Sequence, residues 1–191
     1  MLKSQFQKNL IEAGCDEVGR GCIAGPVVAA AVIMPPDYKN NNIMDSKKLS
    51  PKKREIVEKE IIKNATSWAI ASVSNNTIDK INILNASILA MHRALDKLDI
   101  KPEFILVDGN QFKQYKKLRH ECVIKGDNKY QNIAAASILA KNYRDKLMYD
   151  LSSSFDKYSW ETNFGYPTKK HRESIKEYGV TEYHRKSFKL I

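Results

Sequence analysis

Short apolar runs alternate along this chain with stretches of helical periodicity, and that alternation limits the possible folds more than any other feature. Residues Ala13 to Val18 read as a strand followed by the turn Gly19-Arg20-Gly21, and Val27 to Met34 as a buried second strand stopped by Pro35-Pro36. Ser50 before Pro51 is a helix start, a capping hydroxyl and then proline at the first helical position, predicting a helix to about Asn64. A strand over Thr66 to Val73 follows. From Ile81 to Leu98 the apolar residues recur at three- and four-residue steps, which predicts one amphipathic helix. Phe104 to Val107 and Cys122 to Ile124 read as short strands. Tyr130 to Leu151 reads as a long helix whose alanines at 134, 135, 136 and 140 leave a smooth face able to lie close on a sheet. Thr168 caps a further helix, and a last short helix is expected from near Thr181. A hairpin-like pair followed by alternating strands and helices predicts an α/β fold, a mixed sheet flanked by helices.

A chain of 191 residues suits a single domain over 1–191, with a small helical C-terminal extension over about 152–191. The net charge is +10, from 32 Lys and Arg against 22 Asp and Glu, and favours a polyanionic partner, although a basic solvated surface gives the same count. Cys15, Cys22 and Cys122 are odd in number and have no CxxC spacing, which argues against a disulfide framework or a zinc site. With no apolar leader at the start and no stretch of ~18 apolar residues, a cytoplasmic, soluble monomer is expected.

Three places join a carboxylate to a strand end with a glycine close by: Asp16-Glu17, Asp108 and Asp127. Strand ends are where α/β sheets assemble sites, since separate segments converge there on rigid backbones. Carboxylates gathered in one place repel one another, and a compensating cation would make sense of them. All-oxygen ligation suits Mg²⁺ or Mn²⁺, and with a polyanionic partner it points to two-metal phosphodiester hydrolysis. Asp beside Gly is also ordinary turn chemistry, and consecutive strand residues such as Asp16 and Glu17 point to opposite faces unless the strand ends or bulges there.

The segment from Cys15-Asp16-Glu17-Val18-Gly19-Arg20-Gly21 through Ala24-Gly25-Pro26 to Val32 resembles the opening signature of bacterial ribonuclease HII. So do Asp45-Ser46-Lys47-Lys48-Leu49-Ser50, Val107-Asp108-Gly109, Lys125-Gly126-Asp127 and the run from Ile133 to Lys141. Gly165-Tyr166-Pro167-Thr168 and His184-Arg185-x-Ser187-Phe188 complete the pattern in family order. Departures are mild: Cys22 stands where proline is common, and Asn142 where valine is common.

The resemblance implies a ribonuclease H-like fold and cleavage on the 5′ side of a ribonucleotide, leaving a 3′-hydroxyl and a 5′-phosphate. The implied substrates are RNA–DNA hybrids and duplex DNA with single embedded ribonucleotides, and the implied role is ribonucleotide excision repair. By matching position, Asp16, Glu17, Asp108 and Asp127 are the implied metal ligands, for two Mg²⁺ or Mn²⁺ ions. Asp145 is a rival to Asp127, but a role as helix-surface partner for Arg144 or Lys141 is the favoured reading of it. Gly19, Arg20 and Gly21 match the ribose-sensing turn, and Tyr166 the tyrosine that stacks on the sugar after the ribonucleotide. Ser46, Lys47, Lys48 and Arg185 are expected at backbone phosphates, with Lys169, Lys170 and Arg172 as further candidates. His171 and His184 are either proton-transfer or phosphate groups, or structural. The competing readings are another nuclease of the same fold, such as a junction resolvase, and a catalytically silent hybrid-binding module. Cutting or bare binding of a ribonucleotide-containing duplex separates the module from the enzyme.

Overall fold

The computed structural model describes residues 2–191. A five-stranded mixed sheet forms the centre, in the order β3-β2-β1-β4-β5. Its strands are β1 (Glu12–Val18), β2 (Val27–Ile33), β3 (Ser67–Val73), β4 (Phe104–Asp108) and β5 (Arg119–Val123). The helices are α1 (Pro51–Asn64), α2 (Asn75–Ile81), α3 (Ile83–Asp96), α4 (Gln131–Ser152), α5 (Trp160–Asn163) and α6 (Lys169–Tyr178). Strands β1 and β2 form the antiparallel hairpin and β3 extends it, whereas β4 and β5 run parallel to β1.

Side-chain alternation divides the strands between two cores. Ala13 and Cys15 of β1 and Val27, Ala29 and Ala31 of β2 face α3, where Met91, Ala94 and Leu95 cover them. Val28, Ala30 and Val32 face α4 and α1, against Ala134, Ala135, Ala136, Ala140, Val57 and Ile61. The alanine face of α4 thus does what its pattern predicts: small side chains let a 22-residue helix lie close along the centre of the sheet. The C-terminal part has its own apolar centre, in which Met148, Tyr158, Trp160 and Ile175 pack under Ile23 and Ala24. Trp160 is fully buried, a contribution of roughly 3 kcal/mol from apolar transfer at most. Among the described residues no helix is long and apolar enough to cross a membrane.

Three expectations need correction. The helix predicted over Ile81 to Leu98 is α3, shorter at both ends, because Asn82 takes a left-handed φ of 64° and caps it through its side chain, which accepts from Asn85 N–H; α2, which ends at Ile81, is a separate helix that the pattern did not predict. The apolar spacing ran on unbroken, but Ser74 opens α2 earlier by accepting from Thr77 N–H. No helix follows Thr181. There the chain turns back so that His184 bridges to Ala24, and the Thr181 N–H is held by the His184 ring. Strand β5 begins at Arg119, three residues before Cys122, and its alternating exposed residues Arg119 and Glu121 disguised it.

Candidate active site

The register of β1 with β4 builds the site. Cys15 lies opposite Val107, so the next residues, Asp16 and Asp108, emerge side by side where the pairing of the two parallel strands ends. Glu17 is the following residue, and β1 ends one position later at Val18. Asp16, Glu17 and Asp108 line one cleft of about 370 Å³ together with Ser46, Lys47, Ser137, Lys141 and Tyr166. Asp127 sits on a short 3₁₀ turn, Gly126–Asn128, just ahead of α4. It lines an adjoining cleft of about 400 Å³ with Asp45, Lys48, Lys125 and Asn128. Asp108 and Lys47 belong to both clefts.

The electrostatics are those of crowded acids. Burial raises the Asp16 pKa well above the ordinary carboxylate range, and repulsion from Glu17 and Asp108 adds to it; a Ser137 hydroxyl bond and the Glu17 N–H at 2.7 Å oppose the rise. Burial also raises Glu17, against the pull of Arg20, whose guanidinium donates to Glu17 Oε1 at 3.0 Å. Asp108 is raised by burial and by Asp127, while the Gly126 N–H donates to its Oδ1 at 2.7 Å. Among the described residues no three His, Cys, Asp or Glu side chains close into a ready-made cage. The donor set nonetheless suits a hard divalent cation: oxygen ligands only, desolvated, and costly to keep charged without compensation.

Asp145 is separated from this group. It accepts from Arg54 Nη2 at 2.9 Å and Lys141 Nζ at 2.6 Å, so its charge is already paired. Arg144 is not its partner.

Gly19 has φ +94°, and a Cβ there would meet the Nε of Arg144 at 2.3 Å, so this turn residue is restricted to glycine by backbone and by packing. Around Gly21 a Cβ would meet nothing within 4 Å. Tyr166 is 38% exposed at the cleft wall, and Lys141 Nζ stands 5.9 Å from its ring centroid. Ser46 is buried, its hydroxyl 3.0 Å from that of Ser137. Lys47 reaches both clefts, while Lys48 donates to Asn128 Oδ1 at 2.6 Å. Lys169 and Lys170 are exposed.

Two arginines expected at phosphates are used elsewhere. Arg185 is 0% exposed and donates to the carbonyls of Gly25 and Arg20. Arg172 donates to the carbonyls of Lys189 and Leu190 and ties down the C-terminal segment.

His171 and His184 are both buried, and their bonds fix their tautomers. The Thr181 N–H donates to His184 Nδ1 at 2.9 Å, so neutral His184 carries its proton on Nε2 and directs it at His171 Nε2, 3.1 Å away. Trp160 Nε1 donates to that same His171 nitrogen, which leaves Nδ1–H of His171 to donate to the Tyr166 carbonyl at 2.9 Å. The pair is therefore structural and neutral, and it anchors the backbone of Tyr166. Burial and the neighbouring His171 pull His184 down to about 4, and burial lowers His171 too. Unfolded His titrates near 6.5, so the unfolded chain binds more protons between these values. This contribution is full above pH ~6.5 and is lost on acidification toward pH ~4, about 1–2 kcal/mol by pH 5. The expected readout is a steeper fall in urea midpoint from pH 7 to 5 for wild type than for His184→Gln. The comparison cancels the opposite trend of the buried carboxylates, and equal slopes would refute the assignment.

Sequence reasoning missed Ser137, Lys141 and Arg144. Their spacing of four and then three places them along one face of α4, which was a legible signal.

The family model described as Ribonuclease HII matches residues 13–191. The ribonuclease HII of Bacteroides fragilis strain ATCC 25285 is 56% identical over 191 residues, covering 100% of this chain and 95% of the relative. That of Phocaeicola vulgatus is 54% identical with the same coverage. The crystal structure of ribonuclease H2 from Pyrococcus horikoshii OT3 superposes with a TM-score of 0.80 at 25% identity, covering 94% of each chain, so the sheet order and flanking helices are those of a ribonuclease H-like fold. With a family model spanning nearly the whole sequence and relatives above half identity along its full length, the chain belongs to the ribonuclease HII family and is a type 2 ribonuclease H, a nucleic-acid hydrolase.

Proposed function

We propose that this endonuclease hydrolyses the RNA strand of RNA–DNA hybrids and cuts duplex DNA on the 5′ side of a single embedded ribonucleotide. The observation that carries the reading is the juxtaposition of Asp16, Glu17 and Asp108 in a cleft walled by Tyr166, at the foot of the Gly19–Gly21 turn. In the reaction a water oxygen bonds to phosphorus and the P–O3′ bond breaks, leaving a 5′-phosphate on the ribonucleotide and a 3′-hydroxyl upstream. Asp16, Glu17, Asp108 and Asp127 would hold two Mg²⁺ or Mn²⁺ ions, which when bound supply a readied water and charge stabilisation of the leaving oxygen. Ser137 orients Asp16, and Arg20 steadies Glu17. The turn addresses the 2′-hydroxyl, the group that distinguishes RNA from DNA. Lys47, between the clefts, is placed for the phosphate next to the cut.

The test is a labelled duplex with one ribonucleotide, incubated with Mg²⁺ or Mn²⁺ and again with excess chelator. Cleavage 5′ to the ribose, lost with chelator, is expected; binding without cleavage, or cutting indifferent to the ribose, defeats the proposal. Tyr166→Ala is expected to slow cutting at the single ribonucleotide by ~10-fold through lost stacking, and to slow cutting inside a long hybrid less. Equal losses on the two substrates would remove Tyr166 from junction sensing.

A further inference from the structure

Three arginines are buried; Arg54 is paired with Asp145, whereas Arg144 and Arg185 have no carboxylate partner within salt-bridge distance among the described residues. Burying an unpaired cation is costly, and both are compensated instead by backbone carbonyls. Arg144, on α4, donates through Nε to Pro26 O at 3.0 Å, through Nη2 to Ala24 O at 3.0 Å and through Nη1 to Phe164 O at 2.8 Å. Arg185 donates through Nε to Gly25 O at 3.0 Å and through Nη1 to Arg20 O at 3.1 Å; its Nη2 has no partner among the described residues. The guanidinium of Arg144 thus spans two separate segments, the loop that follows the Gly19–Gly21 turn and the residue that opens the Tyr166 turn. The backbone joins the same segments, since Ile23 N–H donates to Gly165 O at 2.9 Å and Arg185 N–H to Ile23 O at 2.8 Å.

We propose that Arg144 and Arg185 are positioning residues for ribose recognition, holding the Gly19–Gly21 turn and the Tyr166 turn in one fixed relation above the carboxylates. With the Arg20 carbonyl turned inward to Arg185, the N–H groups of Arg20 and Gly21 make no hydrogen bond within the described residues and are left to meet a sugar hydroxyl. Gly19 belongs to the same device, since the Arg144 guanidinium lies directly beneath it. A lysine at either position keeps the charge but is a point donor and cannot span the same carbonyls. Arg144, with every guanidinium nitrogen engaged and two segments bridged, carries the larger share.

This rests on the proposed roles of the turn and of Tyr166, and the test separates the two. Arg144→Lys and Arg185→Lys are compared with wild type in steady-state cleavage of the single-ribonucleotide duplex, at a temperature where unfolding curves show each variant folded. Arg144→Lys is expected to lower kcat at least ~10-fold, Arg185→Lys less, with KM within about threefold, since misplacement of positioning groups costs turnover. Adding Tyr166→Ala to Arg144→Lys is expected to cost less than Tyr166→Ala costs alone. Unchanged kcat in folded Arg144→Lys, or an undiminished cost of Tyr166→Ala in that background, overturns the proposal and indicates a purely structural arginine. If neither lysine variant folds, amide exchange of the wild type decides. The amides of Ile23, Gly25 and Tyr166 are expected to be protected as strongly as the core of α4, and fast exchange there overturns it. A wild type that does not cut at the ribonucleotide fails the underlying role of the turn; a wild type that cuts, beside an unaltered Arg144→Lys, fails only this proposal.

Discussion

Asp16→Asn is expected to reduce single-turnover cleavage by at least ~10³-fold while leaving duplex affinity unchanged or improved. The substitution keeps the shape of the side chain and its bond from the Glu17 N–H, and removes one negative charge from a close group of three carboxylates, of which Asp16 is the buried one. Asp16 is the carboxylate under the greatest strain, since burial and both acidic neighbours act on it together. Neutralising it therefore relieves Glu17 and Asp108, and the melting temperature is expected to hold or rise. Affinity for a polyanion follows the same sign, since less negative charge faces the phosphates. A folded variant that still cuts within tenfold of wild type would show that Asp16 is not a ligand of the catalytic ions. A variant that loses binding and cutting together would point to a role in holding the substrate.

The fold was legible where one local signal sufficed. The alanine face of α4, the Ser50-Pro51 start of α1 and the Thr168 cap of α6 are each written in adjacent residues, and each forms as its pattern predicts. The break at Asn82 was not legible, because a left-handed residue between two helices leaves the apolar spacing undisturbed. The C-terminal turn was hidden for a different reason: its geometry is set by His184 and Ala24, 160 positions apart. The carboxylates could be named from strand-end position and family resemblance, whereas their convergence depends on the parallel register of β1 and β4, which no local pattern encodes. Arg185 shows the limit most clearly. In sequence it reads, within the His184-Arg185-x-Ser187-Phe188 motif, as a phosphate contact, and only the packing reveals a buried guanidinium holding the Arg20 carbonyl.

Gly19 and Gly21 look interchangeable in sequence, and their alanine variants are expected to fail in opposite ways. In Gly19→Ala the new Cβ falls 2.3 Å from the Arg144 Nε on a backbone with φ +94°, so the turn or the arginine must move. Arg144 is fully buried and tied to three carbonyls, and cannot withdraw cheaply. Left-handed strain of about 1–2 kcal/mol and overpacking of about 1–3 kcal/mol then lower the melting temperature along with activity. In Gly21→Ala the Cβ enters open space on an ordinary backbone, so the melting temperature is expected to stay within about 2 °C, the scale of a surface change below ~0.5 kcal/mol. Cleavage at the single ribonucleotide is nonetheless expected to fall by ~10²-fold, because that space is where a sugar hydroxyl would approach the Arg20 and Gly21 N–H groups, and a 1 Å displacement there is costly. Thermal unfolding and single-turnover cleavage of both variants decide the matter. Full activity in a stable Gly21→Ala would mean that the ribose is read from another side of the cleft.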